Sequence, residues 1–476
     1  MKKNYLFWIA VCFSLVFNCS LAFGSQQGVE IQNVTLQESI DQALENNRSR
    51  PASRYAVAMA EAQHKQALSA YWPQVSATGG YEIKDDDPNF IFPASNISLP
   101  TITIPGLGAL PLDSIEVPVQ DVKLMDNESW KASLEAQWLL YDGGMRKGYS
   151  EQTAGLVEMM KQEVRRTDLE LIDTVKRYYF GAVLATKLHN VGKETFERME
   201  ATLNLTETMY KEGSGSVKKT DWLDNKVMVE SIRSMVALLE KNELMAQAAL
   251  ANVIGRPWHE SVKPIDSELF YTPFGSELDQ MVSSSYQFSP DWGKLESALR
   301  AAEGGVRTAK SGHYPKVAVT GELFKWWNDY DGGMSTDKNR EGWTIGFGVQ
   351  IPLFSGFLTK HKVAEAKARV SQLKEQRMLL KEGIGLQLKD VFLSLNAAEK
   401  AFNASQTAME ASTENRDLNT RAYQHGLVET EKVIRAQLVE ALMQAQHYKV
   451  RYDHIALCSK VNLIVGTEWE NQLKGQ

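Results

Sequence analysis

The sequence predicts a mainly α chain built as a tandem repeat, each unit supplying one helix, two amphipathic strands and a very long helical hairpin. Three observations carry this expectation. The two halves of the chain align in three blocks that keep their order. Each half holds two segments in which apolar and polar residues alternate with a period of two. Each half also holds a proline-free run of about 70 residues, on the order of 100 Å as an α-helix at 1.5 Å per residue. No globular core requires such a helix.

In the first block Thr35 to Tyr81 matches Glu277 to Leu323, with Leu36 on Leu278, Ala60-Glu61 on Ala302-Glu303 and Trp72-Pro73 on Tyr314-Pro315. Trp130 to Gly213 then matches Trp343 to Gly426, and Gly215 to Trp258 matches Gly426 to Trp469. Identity is low, so the match preserves the order and length of elements. The boundaries that follow are an N-terminal segment 1–24, a first repeat 25–258, a linker 259–276, a second repeat 277–469 and a tail 470–476.

Within the first repeat a helix is expected over 35–71, opened by the box Thr35-x-x-Glu38 and closed by Pro73. Strands follow at 73–83 and 129–141, then a hairpin over 143–254 with its tip near 213–221. The second repeat gives a helix at 277–313, strands at 315–325 and 342–354, and a hairpin over 356–465 with its tip near 426–432. Trp130, Ala132, Leu134, Ala136, Trp138 and Leu140 share one strand face against Lys131, Ser133, Glu135 and Gln137. Trp343, Ile345, Phe347, Val349, Ile351 and Leu353 repeat the pattern. Lys84 to Ser129 carries six prolines and the run Asp85-Asp86-Asp87, and reads as a long external loop.

The first two dozen residues have the form of an export signal: Lys2 and Lys3, an apolar stretch from Tyr5 to Phe17, then small residues from Ser20 to Gly24. Cleavage is expected after Ala22 or Gly24. Asn18, Cys19 and Ser20 interrupt the stretch too early for a membrane span of about 20 residues. Acylation of Cys19 stays open, although Val16, Phe17 and Asn18 are unlike the small residues that precede such sites. Once the segment is removed only Cys458 remains, so packing and strand pairing must hold the fold. A net charge of −7 offers no basic field for nucleic acid. No later segment is apolar for long enough to cross a bilayer as a helix, so entry into a membrane requires a closed barrel.

An amphipathic strand in a soluble sandwich is the plainer alternative. The tryptophans argue against it, since Trp72, Trp130, Trp138, Trp326, Trp327 and Trp343, six of the eleven, lie in or beside the four strands, where an interfacial belt would put them. The lipid-facing positions are then Trp130, Leu134, Trp138, Trp343, Phe347 and Ile351.

These residues resemble the TolC-type outer-membrane efflux family: the opening "TLQESIDQALENN", strands followed by "LLYDGG" or "IPLFSG", the turns Tyr-x-x-Gly, Val433, Ile434 and Ala436 in the returning helix, and the closing "NVIG" and "LIVG". The resemblance covers nearly all of the chain after the signal. It implies a homotrimer in the outer membrane of a Gram-negative bacterium, its twelve-stranded transmembrane β-barrel continued by an α-helical tunnel in the periplasm. It further implies passive export, with a periplasmic adaptor (membrane fusion) protein and an inner-membrane efflux or ABC transporter as partners, and a gate at the periplasmic tip. Drug efflux, metal efflux and type I protein secretion all fit. A periplasmic adaptor or coiled-coil scaffold without a pore is the alternative reading.

The gate is expected at Gly213, Gly215 and Asp221, Asp224 in the first hairpin, and at Tyr423, Gly426, Lys432 and Arg435 in the second. Family members often carry aspartates after the second tip glycine, where this chain has Lys432 and Arg435. Pairing of Asp221 and Asp224 with Lys432 and Arg435 between neighbouring hairpins would lock the closed tip; solvated surface charges are the bland reading. No catalytic, cofactor or metal residues are expected. The eight histidines form no HExxH pair, His447 and His454 are read as helix-surface residues, and Gly213-Ser214-Gly215 lacks the GK[ST] of a phosphate loop.

Overall fold

The computed structural model describes residues 32–110, 113–213, 215, 217–257, 259–330 and 340–467; the export segment 1–24 with Cys19, and the tail 470–476, lie outside these. In chain order the first repeat forms β1 (Gln32–Val34), α1 (Leu36–Asn46), α2 (Ser49–Ser69), β2 (Gln74–Ile83), six short strands β3 (Asn89–Phe92), β4 (Ser95–Ile97), β5 (Ile102–Ile104), β6 (Gly108–Leu110), β7 (Ile115–Val117) and β8 (Gln120–Lys123), then β9 (Glu128–Tyr141), α3 (Met145–Lys211) and α4 (Lys219–Val253). After β10 (Val262–Pro264), the second repeat forms α5 (Leu278–Phe288), α6 (Pro290–Lys310), β11 (Lys316–Trp327), β12 (Glu341–Gln350), α7 (Leu358–Gln424) and α8 (Thr430–Val465). Both α3 and α7 are 67 residues long.

The helix expected over 35–71 is two helices. Thr35 does open the first, its hydroxyl accepting from the Glu38 N–H at 3.2 Å while the Glu38 carboxylate accepts from the Thr35 N–H at 2.9 Å. Pro51, which cannot donate and whose ring crowds the preceding turn, forces a restart at Ser49. Asn47 holds the break, its Oδ1 accepting from Ser49 N and its Nδ2 donating to the Val253 carbonyl at 2.9 Å. The helix expected over 277–313 divides likewise, because Pro290 takes the first position of α6. The last strand stops at Gln350 and not at 354, since Pro352 has no N–H for a ladder.

The chain separates into two compact units. One takes residues up to Arg54, Gln162–Gly293 and Leu379 onward. Its cores set Tyr179, Leu250 and Ile254 around Val34, and Leu388, Val391 and Val461 around Met281. The linker 259–276 belongs to this packing: β10 pairs in parallel with β1, and the Tyr179 hydroxyl donates to Asp266 at 2.7 Å. Burial, followed by that carboxylate, pushes the Tyr179 hydroxyl's pKa up, so it stays a donor.

The other unit, Tyr55–Lys161 with Lys294–Met378, carries a four-stranded antiparallel sheet in the order β12-β11-β9-β2. The segment 84–129, expected as a long external loop, carries six short strands among its described residues. β3 pairs with β8, β4 with β7 and β5 with β6, nested about a tip at Gly106, so β2 and β9 continue into one long hairpin arm that prolines interrupt.

Where β9 turns into α3, Asp142 and Arg146 are 4% and 9% exposed and bonded at 2.9 Å. Arg146 also donates to the carbonyls of Leu139 at 2.6 Å and Leu140 at 3.0 Å, and lies over the Tyr71 ring. The matching positions of the second repeat are Ser355 and Thr359, neutral hydroxyls 3.4 Å apart. Arg146→Ala, leaving a buried carboxylate unpaired, is expected to cost about 3–5 kcal/mol. Asp142→Ser combined with Arg146→Thr should cost markedly less; denaturant unfolding in detergent compares the two variants.

Candidate functional site

Register decides which residues share a face of the sheet. Trp130 stands opposite Tyr81 on one side and Trp327 on the other; Leu134 aligns with Ala77, Leu323 and Trp343; Trp138 aligns with Val319 and Phe347. Five of the six expected lipid-facing residues therefore lie on one face, and all are exposed in the single chain. Ile351 is the exception, lying one residue past the end of β12. Eight residues separate the Trp130 and Trp138 rows, about 27 Å along a strand. At a barrel tilt of about 40° that becomes roughly 20 Å, close to the apolar band of an outer-membrane barrel. The opposite face is mainly polar, although it includes Phe324 and Trp326: Lys131 pairs with Glu322 at 3.1 Å and lies over the Trp326 ring, and Thr78 bonds Ser133 at 2.7 Å. No helix among the described residues is long and apolar enough to cross a membrane.

At the hairpin tips Gly213 and Gly426 turn the chain at φ +75° and +68°, a conformation that favours glycine. Gly215 lies in the first turn without a positive φ. Asp221 accepts from the Lys218 N–H at 2.9 Å and caps the start of α4, where a carboxylate also meets the positive end of the helix dipole. Asp224, Lys432 and Arg435 are exposed. Among the described residues no ion pair joins the two aspartates to Lys432 or Arg435 within the chain, so the expected lock is not made inside one copy.

A different set of residues joins the two hairpins. Buried Tyr423 on α7 shares hydrogen bonds with Thr206 of α3 at 2.7 Å and Thr430 of α8 at 3.0 Å. Thr206 donates to the Thr202 carbonyl at 2.7 Å, so its oxygen accepts from Tyr423 and from Asn225 Nδ2 of α4 at 3.2 Å. Further along, Gln437 Nε2 donates to Thr202 at 3.0 Å. Glu440, 1% exposed, meets Arg416 of α7 at 2.7 Å and Arg198 of α3 at 3.4 Å. Sequence reasoning found Tyr423 and missed the others. A signal existed: Val433, Gln437, Glu440, Gln444, His447, Arg451 and His454 recur at alternating spacings of four and three, the seam of a packed helix, and most are polar.

His447 and His454 are accordingly not on the solvent surface. Both are buried, His447 sharing a hydrogen bond with Ser405 at 3.1 Å and lying beside Phe402, and His454 packing against Tyr271. Among the described residues no group of three or more histidine, cysteine or acidic side chains is placed to hold a metal.

An antiparallel sheet with one apolar and one polar face, joined to long paired helices, defines an outer-membrane channel protein. Residues 39–256 and 281–457 match the outer membrane efflux protein family, and the chain belongs to that family. It is 24% identical over 200 residues to the pyoverdine export outer membrane protein OpmQ of Pseudomonas aeruginosa, covering 41% of each chain. It is 21% identical over 341 residues to the probable outer membrane lipoprotein SilC of Salmonella typhimurium, covering 70% of this chain and 64% of that one. The alignments thus span less than two thirds of either relative. A crystal structure of CusC superposes with a TM-score of 0.71 at 18% identity, over 94% of this chain and 96% of that one.

Two outcomes follow. Tyr423→Phe removes a buried hydroxyl that serves two helices, at a cost of about 1–3 kcal/mol, read as a lowered melting temperature of the detergent-purified protein. Burial, then Arg451, holds the His447 imidazole below its ordinary value against an opposing pull from Glu410. The unfolded chain therefore binds the extra proton, and stability falls as pH drops from about 7 to about 5. His447→Gln should flatten that part of a melting-temperature profile against pH.

Proposed function

We propose that the chain is the exit duct of a tripartite export assembly, a homotrimer whose twelve strands close one barrel in the outer membrane. One observation carries the reading: the four-stranded sheet pairs apolar with polar faces and keeps both edges, β2 and β12, unpaired within the chain. Four strands cannot close, and lipid leaves open edges without partners. Three copies would supply the strands for a continuous cylinder, with the face of Lys131, Glu135 and Glu322 turned to the lumen. Conduction is passive, a periplasmic adaptor and an inner-membrane efflux or ABC transporter providing substrate and energy. OpmQ's name assigns it pyoverdine export, which favours a small-molecule cargo here over a secreted protein.

The periplasmic tips of the hairpins form the gate. Tyr423 and its threonine partners hold the two hairpins of one copy together, while exposed Asp224, Lys432 and Arg435, with half-buried Asp221 beside them, act between hairpins of neighbouring copies. Lys432→Ala with Arg435→Ala is expected to raise closed-state current and shift selectivity toward cations. Unchanged current and selectivity would remove these two residues from the gate.

The whole reading is tested by fractionation and gel migration. The purified protein is expected in the outer-membrane fraction as a trimer that dissociates on heating. A soluble or monomeric product would instead match the adaptor or scaffold alternative.

A further inference from the structure

The hairpin arm formed by β3 to β8 has no counterpart in the second repeat, where β11 and β12 are joined by a far shorter connection. Its root is firmly fixed. Lys123 pairs with Asp87 at 2.7 Å and Asp126 at 2.5 Å, and buried Asn328 at the end of β11 donates to the carbonyls of Asp126 and Glu128 while accepting from the Asp126 N–H. Beyond the root the arm is uncovered. Phe90 and Phe92, their rings 4.7 Å apart, share one face with Val122, and Ile97 stands opposite Ile115. Ile102, Ile104 and Val119 are also exposed, and Leu107 at the tip is 84% exposed. A two-stranded hairpin is marginal in water by itself, and exposed apolar side chains along its length, Ile91 on the other face included, call for a contact.

What covers it follows from where it grows. The arm continues β2, the sheet edge at which a neighbouring copy must pair, and leaves the sheet at the strand ends opposite those joined to α2 and α3. In a closed ring each arm therefore rises beside the next copy, on the side away from the helices. Asp85, Asp86 and Asp87 at its root disfavour an anionic lipid surface. We propose that the arms of sister copies pack on one another, Phe90, Phe92, Ile102, Ile104 and Leu107 meeting across the symmetry axis as a collar over the outer mouth of the barrel. This rests on the shared-barrel reading above.

The test uses the full-length protein with Cys458→Ser and Leu107→Cys, purified as the assembled oligomer in detergent and treated with a mild oxidant. A reducible inter-copy disulfide at the arm tip is expected, with none from Val75→Cys on the lipid face of β2. An intact oligomer without the tip disulfide overturns the collar, as does labelling of the thiol introduced at the tip by a lipid-dissolved reagent in vesicles; loss of the oligomer itself would strike the barrel reading instead. Replacing residues 89–123 by a short Gly-Ser turn is expected to raise single-channel conductance several-fold without changing the number of copies in the oligomer. Unchanged conductance would likewise overturn the collar.

Discussion

Hydrocarbon offers a peptide group no partner except another peptide group, and that constraint sets the rest of this chain's organisation. β9 and β11 have both edges occupied, but β2 and β12 each leave a row of N–H and C=O groups unpaired. Water or a covering helix would serve in a soluble protein. A sheet whose outer face carries Trp130, Leu134, Trp343 and Phe347 has neither remedy at hand, and closure with further copies is the remaining one. Register is bound to the same constraint. A slip of one residue would carry Lys131 or Glu322 into lipid and turn Trp130 and Trp138 or Trp327 inward, so the Trp130–Trp327 and Leu134–Leu323 pairings are as necessary as the ladder itself.

The helical unit works under the opposite condition, since its seams can meet water. Along α8 the buried positions change character. Val461 and Val465 lie in an apolar core with Leu388 and Val391, whereas toward the tip buried Val433 and Ile434 alternate with Thr430, Gln437 and Glu440, which are held by hydrogen bonds and ion pairs. Separating apolar surfaces costs free energy in proportion to their area. Polar groups that regain water on separation lose much less, because a net hydrogen bond is worth only about 1 kcal/mol. The tip end of this seam thus combines an apolar cluster with polar contacts that water can replace, whereas the far end is mainly apolar.

Much of this was legible in the sequence because period carries it. The Thr35 box, the alternation from Trp130 to Leu140 and the two tip glycines each correspond to local geometry that few other residue patterns produce. The helix breaks at Asn47 and Ser289 were legible too, through Pro51 and Pro290, but the alanine-rich run after residue 52 outweighed them in a continuous helical reading. The arm was obscured for the reverse reason: its strands are three or four residues long, too short for alternation to register, and its prolines suggested a loop. The Tyr423 network could not be read from hydropathy at all. Thr202, Thr206 and Asn225 look like surface residues until the second hairpin packs over them, and the lock expected from Asp221 and Lys432 rested on charge alone, without knowledge of which faces met.

Duplication explains why the two halves share a backbone, and divergence explains why they do not share a role. Tyr210 and Tyr423 occupy equivalent places, in the last helical turn before a tip glycine. Tyr210 stacks on Trp222 of its own hairpin at 5.7 Å, so it stiffens that hairpin. Tyr423 is buried against Thr206 of the other hairpin. Tyr210 thus braces one hairpin internally, whereas Tyr423 both braces its own hairpin through Thr430 and fastens it to the other. One duplicated position has therefore come to serve two purposes, a ring stack inside the first hairpin and a buried hydroxyl network that crosses between the two.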